Sequence, residues 1–165
     1  MSTETHHDGR HDFDALHGSW VVHHRRLRER LAGCTDWDLF TGTSRMQPLL
    51  GGLGNVDDNL LHLPAALGGD YRAATLRAYS PDTRQWSIWW LDGRHPDRIG
   101  VPMVGRFEGG DGVFYADEDF QGLPIRVRFL WLRTRSDRPR WEQAFSTDRG
   151  QTWESNWEMD FSRQP

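Results

Sequence analysis

Two side chains stand first among those that could do chemistry in this chain, His24 and Arg26. They lie two apart in Ser19–Leu27, a run that alternates like a strand, so they share one side with Trp20 and Val22. His23 and Arg25 share the other side. Histidine titrates near neutrality and is the natural proton carrier, and an adjacent guanidinium stabilises an enolate or a carboxylate. With Tyr115 as a third acid–base candidate, these residues fit isomerisation, cyclisation or dehydration of an aromatic or polyketide-like molecule without a cofactor. The competing reading is a His and an Arg on a solvated face, and a β-bulge between Trp20 and Arg26 would exchange the two sides. His23 and His24 point oppositely and cannot share a metal. His17, His62 and His95 are scattered over turns, so neither a metal nor a haem site is expected.

Other chemistries lack their signatures. There is no G-x-S-x-G elbow, no H-E-x-x-H and no dinucleotide pattern. Gly51-Gly52-Leu53-Gly54 is followed by Asn55-Val56-Asp57-Asp58, whose two carboxylates would repel a phosphate. All 20 basic side chains are Arg, which a GC-rich coding bias is enough to explain. Lysine Schiff-base chemistry is thereby excluded, and an anion must be met by a guanidinium, a His or the backbone. The lone Cys34 allows no internal disulfide and no cysteine-cluster zinc site. A net charge of −4 argues against nucleic acid as a partner. No apolar run approaches the roughly 18 residues that span a bilayer. Met1–Asp12 is polar and His-rich without a signal-peptide core, so a cytoplasmic location with no membrane partner is expected.

The elements that must position these groups read as all β. The 165 residues suit one domain, and nine Trp and eight Phe supply a core that a disordered chain would lack. Residues 1–12 are expected to be a disordered arm, and 13–165 the folded domain. Phe13–His17 offers one helical turn, and Leu60–Leu67 is a second helical candidate. Strands are expected at Ser19–Leu27, Asp38–Gln47, Tyr71–Tyr79, Gln85–Leu91, Met103–Glu108, Val113–Phe120, Pro124–Arg133, Arg140–Phe145 and Thr152–Phe161. Pro48–Pro64 reads as a loop near one end, either packed or a lid. Connections this short favour sequential antiparallel pairing, and closing such a meander removes its exposed edges. The expectation is an antiparallel up-and-down β-barrel of about nine or ten strands, with a short N-terminal helical turn.

Two patterns refine that picture. Ser146-Thr147-Asp148-Arg149-Gly150-Gln151-Thr152-Trp153 matches the S-x-D-x-G-x-T-W Asp-box, in which Ser and Asp accept turn N–H groups, Gly takes positive φ and Trp covers the turn. A propeller needs four blades, more than this length supplies, so the box is a hairpin lock. The second pattern is a set of aromatic faces. Trp153, Ser155, Trp157, Met159 and Phe161 share one side of the last strand; Trp141, Gln143 and Phe145 share one side of its neighbour; Ile125, Val127, Phe129 and Trp131 do so before it. Burying one such ring is worth on the order of 2–3 kcal/mol, so these sides are the dry ones. They either fill a solid core or wall a cavity whose few polar groups are Arg26, Tyr71, Arg77, Tyr115 and Gln143. The expected ligand-binding set is Trp20, Tyr71, Arg77, Trp90, Trp131, Gln143 and Trp157.

Gly18-Ser19-Trp20 directly after a helical turn resembles the start of a lipocalin. With WDLFTGTSRMQPLLGGLGNVD, WSIWWLDGR and RWEQAFSTDRGQTWESNWEMDF, the chain from Phe13 to Arg163 resembles bacterial lipocalin-like proteins of the calycin superfamily that have no assigned function. The resemblance implies a barrel around a ligand cavity, with Trp20 plugging the closed end and Arg163 packed across its indole. It also places His24 and Arg26 inside, and it implies no particular reaction. Three functions stay open: a binder of a small hydrophobic or aromatic molecule carrying an anionic or polar group, a cofactor-free isomerase, cyclase or lyase, and a homodimer joined through its surplus aromatics.

Overall fold

A computed structural model describes residues 7–165. Ten antiparallel strands close into a barrel: β1 (Gly18–Leu27), β2 (Trp37–Leu49), β3 (Gly54–His62), β4 (Tyr71–Ser80), β5 (Gln85–Asp92), β6 (Met103–Glu108), β7 (Asp111–Phe120), β8 (Leu123–Leu132), β9 (Arg140–Ser146) and β10 (Glu154–Arg163). Each strand pairs with its neighbours in sequence, and β1 closes the ring against β10, with Trp20 opposite Arg163 and Arg26 opposite Trp157. Among the described residues no helix is long and apolar enough to cross a membrane.

The strand not expected is β3. Pro48–Pro64 is not a loop: β2 continues to Leu49 and pairs with β3 from Thr41↔His62 to Leu49↔Gly54. The apolar alternation that marks other strands is absent here because the inward face is polar, with Asn55 and Asp57 both buried. The helical reading of Leu60–Leu67 likewise gives way, since Leu60 to His62 belong to β3 and only Ala65–Leu67 forms a single 3-10 turn.

One end of the barrel is shut by the residues before β1. Asp14–Leu16 forms the expected 3-10 turn, and Phe13 and Leu16 drop into the core among Trp86, Phe107 and Phe114. The expected disordered arm begins in residues 1–6, which lie outside the described residues. From Gly9 the chain is tied down: Gly9 N–H donates to the Tyr79 hydroxyl at 3.0 Å, and Trp86 Nε1 donates to the Gly9 carbonyl at 3.0 Å.

Trp20 plugs this end as the lipocalin likeness implies. Its Nε1 donates to the Leu16 carbonyl at 2.8 Å, and the Arg163 guanidinium lies over its ring at 3.8 Å. Arg163 also donates to the carbonyls of His17 (2.6 Å) and Ala15 (2.8 Å), so one side chain joins the last strand to the plug. Gly18 enters β1 at φ +114, and a Cβ there would stand 2.7 Å from Arg163 Nη1. The positive φ is what makes glycine the fitting residue there.

At the opposite end the wall is thinner. β5 pairs with β6 only from Trp86 to Ile88, and β6 pairs with β7 no further than Val104↔Tyr115. The far parts of β5 and β7 have no partner on that side, and the largely exposed segment between β5 and β6 reaches the cavity there with Gly100 and Val101.

Replacing Arg163 with Ala is expected to cost about 1–2 kcal/mol, since the cation–π contact and the carbonyl bonds are made by a solvent-exposed side chain. Urea unfolding of Arg163→Ala and Arg163→Lys measures this. Lysine should recover only part of the loss, and no loss in Arg163→Ala would show that the end plug does not depend on Arg163.

Candidate functional site

Above the plug the barrel stays hollow. A cavity of about 380 Å³ runs from Phe161 and Trp131 toward the mouth. Its walls come from alternating inward positions: Ile88 and Trp90 on β5, Val127, Phe129 and Trp131 on β8, Trp141, Gln143 and Phe145 on β9, and Trp157 and Met159 on β10. Three indoles meet edge to face, Trp157 with Trp90 at 5.8 Å and with Trp141 at 5.6 Å between ring centroids. Phe129 stands against Trp141 at 4.9 Å. Such T-shaped pairs set the positive edge of one ring on the negative face of another and hold the rings apart as a rigid box.

The β3–β4 side of the lumen is polar and tightly bonded. Arg77 Nη2 donates to Asp57 Oδ2 at 2.8 Å and Nη1 to Asn55 Oδ1 at 2.9 Å. The second oxygen of Asp57 receives the Thr75 backbone N–H (3.0 Å) and Asn59 Nδ2 (2.6 Å). The side chains of this ion pair are only 3% and 5% exposed. The Arg77 guanidinium lies over Phe13 at 5.0 Å and Trp131 at 5.6 Å, and among the described residues its buried Nε has no acceptor. Sequence reasoning found Arg77 but not its partners. The available signal was the alternation of Asn55, Asp57 and Asn59, a polar version of the period-2 rule.

The mouth carries charge. Arg26 and Arg30 line the cavity from β1 and the turn after it, and Tyr71 accepts from Arg26 Nη1 at 3.4 Å. Across from them Arg94 holds Asp92 at 2.7 Å and stacks 3.8 Å over Tyr71. Glu118, Gly100 and Val101 complete the rim where β5 and β7 part. Of the expected set, then, Arg26, Tyr71, Arg77, Trp90, Trp131, Gln143 and Trp157 come together around one space.

Three expected residues do not. Trp20 is in the plug, below the cavity. Tyr115 is on the outer wall, 44% exposed, because β7 turns Phe114 inward and its odd-numbered neighbour out. A hydroxyl there cannot reach the lumen, so Tyr115 is no acid–base group for it. His24 faces inward as expected but sits behind the cavity wall, with its ring stacked on Phe40 at 4.6 Å and its Nδ1 accepting from Trp157 Nε1 at 3.2 Å. Burial, reinforced by the positive charge of Arg26, lowers its pKa to about 3. This neutral imidazole positions Trp157; it does not carry protons at neutral pH. The space beside it is kept by Gly42, where a Cβ would come 3.2 Å from His24 Nε2 and 2.3 Å from the Leu60 carbonyl.

The last strand also departs from its expected faces. A bulge lies between Ser155 and Trp157, so Ala144 opposes Ser155 and Gln143 opposes Trp157. The extra residue, Asn156, is fully buried and accepts from Gln143 Nε2 at 2.8 Å. Past the bulge Trp157, Met159 and Phe161 face inward, whereas Trp153 stays outside beneath Arg128, 4.4 Å from its guanidinium. There it covers the Asp-box turn. Ser146 Oγ receives Gly150 N–H (2.8 Å), Asp148 receives Thr152 N–H (2.8 Å), and Gly150 takes φ +89. Bonds from Thr152 and Ser146 lower the Asp148 pKa to about 2.

No protein-family model and no curated protein matches the chain. Among solved structures it is similar to the S-type phycobiliprotein lyase CPES from Guillardia theta, over 93% of this chain and 90% of that one, with a TM-score of 0.62 and 9% identity. At that identity the likeness is one of fold, a lipocalin-like barrel.

Two measurements test the site as built. Cutting the buried pair on one side, Arg77→Met, should cost about 3 kcal/mol or more, because Asp57 would keep a buried, unpaired charge. Asp57→Leu with Arg77→Met should recover part of it, and a double variant no better than the single would place the cost elsewhere. His24 gives a pH signature. Its folded pKa lies below the ordinary 6.5, so only the unfolded chain takes up the proton between about pH 6.5 and 3. Stability is therefore full above that window and falls as pH falls through it, by about 1.4 kcal/mol per unit. His24→Phe removes this contribution while leaving Trp157 Nε1 without an acceptor. Its unfolding free energy should be lower at pH 7 but flatter from pH 6 to 4.5, and an unchanged slope would refute the assignment.

Proposed function

We propose that the barrel binds a small, flat, largely apolar molecule carrying one polar or anionic group. The observation that carries this reading is the indole-walled lumen, left hollow in a chain that packs its other end solid. A void among fixed apolar walls forfeits dispersion contacts that a guest of matching shape restores. Its volume lies within the roughly 300–1,000 Å³ usual for small-molecule pockets, and its few convergent polar groups are what orients such guests. Trp90, Trp131, Trp141 and Trp157 would grip the ring system. Arg77 and Gln143 on the walls, with Arg26 and Tyr71 at the mouth, would address its polar atoms.

A second reading is a lyase-type role on a bilin-like conjugated molecule, favoured by the fold likeness to a phycobiliprotein lyase. It requires proton-transfer groups that reach the lumen. The neutrality of His24 and the outward placement of Tyr115 weigh toward binding without chemistry. Turnover abolished by Arg26→Ala with binding retained would favour the second reading.

The neutral fluorophore N-phenyl-1-naphthylamine tests the first. Its emission should rise on titration while tryptophan emission is quenched, with one site per chain. Val127→Trp, which adds an indole to the cavity wall, should weaken binding more than tenfold while the far-ultraviolet circular dichroism stays unchanged. A probe that does not bind, or that binds Val127→Trp as well as the parent, would refute the reading.

A further inference from the structure

The arginines around β1 divide into two kinds. Arg25 and Arg28, on the outside, each hold a carboxylate: Glu158 at 3.1 Å and Asp38 at 3.1 Å. Arg26 and Arg30, on the inside, have no carboxylate within ion-pair distance among the described residues, although both line the cavity. The third cation of the mouth, Arg94, is already matched by Asp92. Glu154, whose charge acts on Arg30 from beyond ion-pair distance, uses Oε1 to receive the Leu31 N–H at 2.8 Å. Glu118 stands on the opposite rim.

The two guanidiniums are seated on rings. Arg26 lies over Phe40 at 5.1 Å and Trp157 at 5.2 Å, and Arg30 lies over Phe145 at 5.4 Å. Burial and the neighbouring charge of Arg26 lower the Arg30 pKa to about 10. Two like charges held together in a half-apolar setting repel, and an anion between them relieves both. Trp157 and Phe145 also wall the lumen, so an anion at the arginines would leave the rest of its molecule among the indoles. From the solvent side, Arg26 and Arg30 also border a cleft with Phe120 and Gln121, through which an anionic head could project.

Resting on the lumen-binding reading above, we infer that Arg26 and Arg30 form an anion clamp that selects aromatic oxyacids and orients them with the acidic group at the mouth. Carboxylate and sulfonate share the required chemistry, a planar or compact oxyanion offering two or more acceptors to guanidinium forks.

A matched pair of probes tests this: 8-anilinonaphthalene-1-sulfonate and its neutral counterpart N-phenyl-1-naphthylamine, which lacks the sulfonate. The parent protein should bind the anion at least tenfold more tightly than the neutral probe. Arg26→Gln and Arg30→Gln should each lose most of that preference while holding the neutral probe within threefold of the parent. Arg25→Gln, on the outer wall, should alter neither. Raising salt from 50 to 500 mM should weaken the anion only. If the neutral probe binds but the anion shows no preference, or if both Gln variants weaken the two probes alike, the clamp is refuted and lumen binding stands. If neither probe binds the parent, both fall.

Discussion

The molecule depends on the width of a closed ring of ten strands. Interior side chains can just fill an eight-stranded ring, and two further strands leave more interior than they cover. The chain resolves the excess differently at its two ends. Near the start of β1 the segment before it enters the ring, and Phe13, Leu16 and Trp20 complete a solid plug fastened by Arg163. Among the described residues nothing comparable enters from the mouth. There the inward positions carry indoles braced edge to face, which hold their spacing and do not collapse on one another.

The polar contents of the lumen follow from the same geometry. A ring whose inward positions were all apolar would have little to orient a guest, and this one sets Arg77 and Asp57 into its wall with their hydrogen-bonding capacity almost wholly met inside the protein. Such a pair contributes little net stability over an apolar replacement of equal volume, since desolvating two ions offsets most of their attraction. The pair lies beside the cavity, and among the described residues Arg77 Nε has no acceptor. His24 has a complementary place behind the wall, where a neutral ring holds an indole at its Nε1.

Much of this was legible in the chain and some was not, for physical reasons. Nine strands, the barrel class and the N-terminal turn followed from alternation and turn residues, and the stacking of Arg163 on Trp20 was what the resemblance to lipocalins implied. β3 did not, because a strand whose inward face is Asn55, Asp57 and Asn59 looks like a loop to any reading that equates inward with apolar. Its satisfaction comes from Arg77, a residue on the next strand, and cross-strand pairing is not written in either segment alone. Tyr115 and Trp153 failed differently. Tyr115 stands one step out of phase with Phe114 on β7. The Asn156 bulge separates Trp153 from Trp157, and one inserted residue reverses every face before it. The gathering of Arg26, Tyr71, Arg77, Trp90, Trp131, Gln143 and Trp157 around one space came from the inward phase of their strands, which alternation does carry.

The most direct test of a hollow, guest-accepting lumen is anomalous diffraction from crystals soaked in iodobenzene. One dominant iodine site is expected inside the lumen, against the wall that Trp90, Phe129, Trp141 and Trp157 line, with the wall side chains little displaced. Iodine found only on the outer surface, or density showing the lumen itself filled by the wall side chains, would contradict a guest-accepting interior.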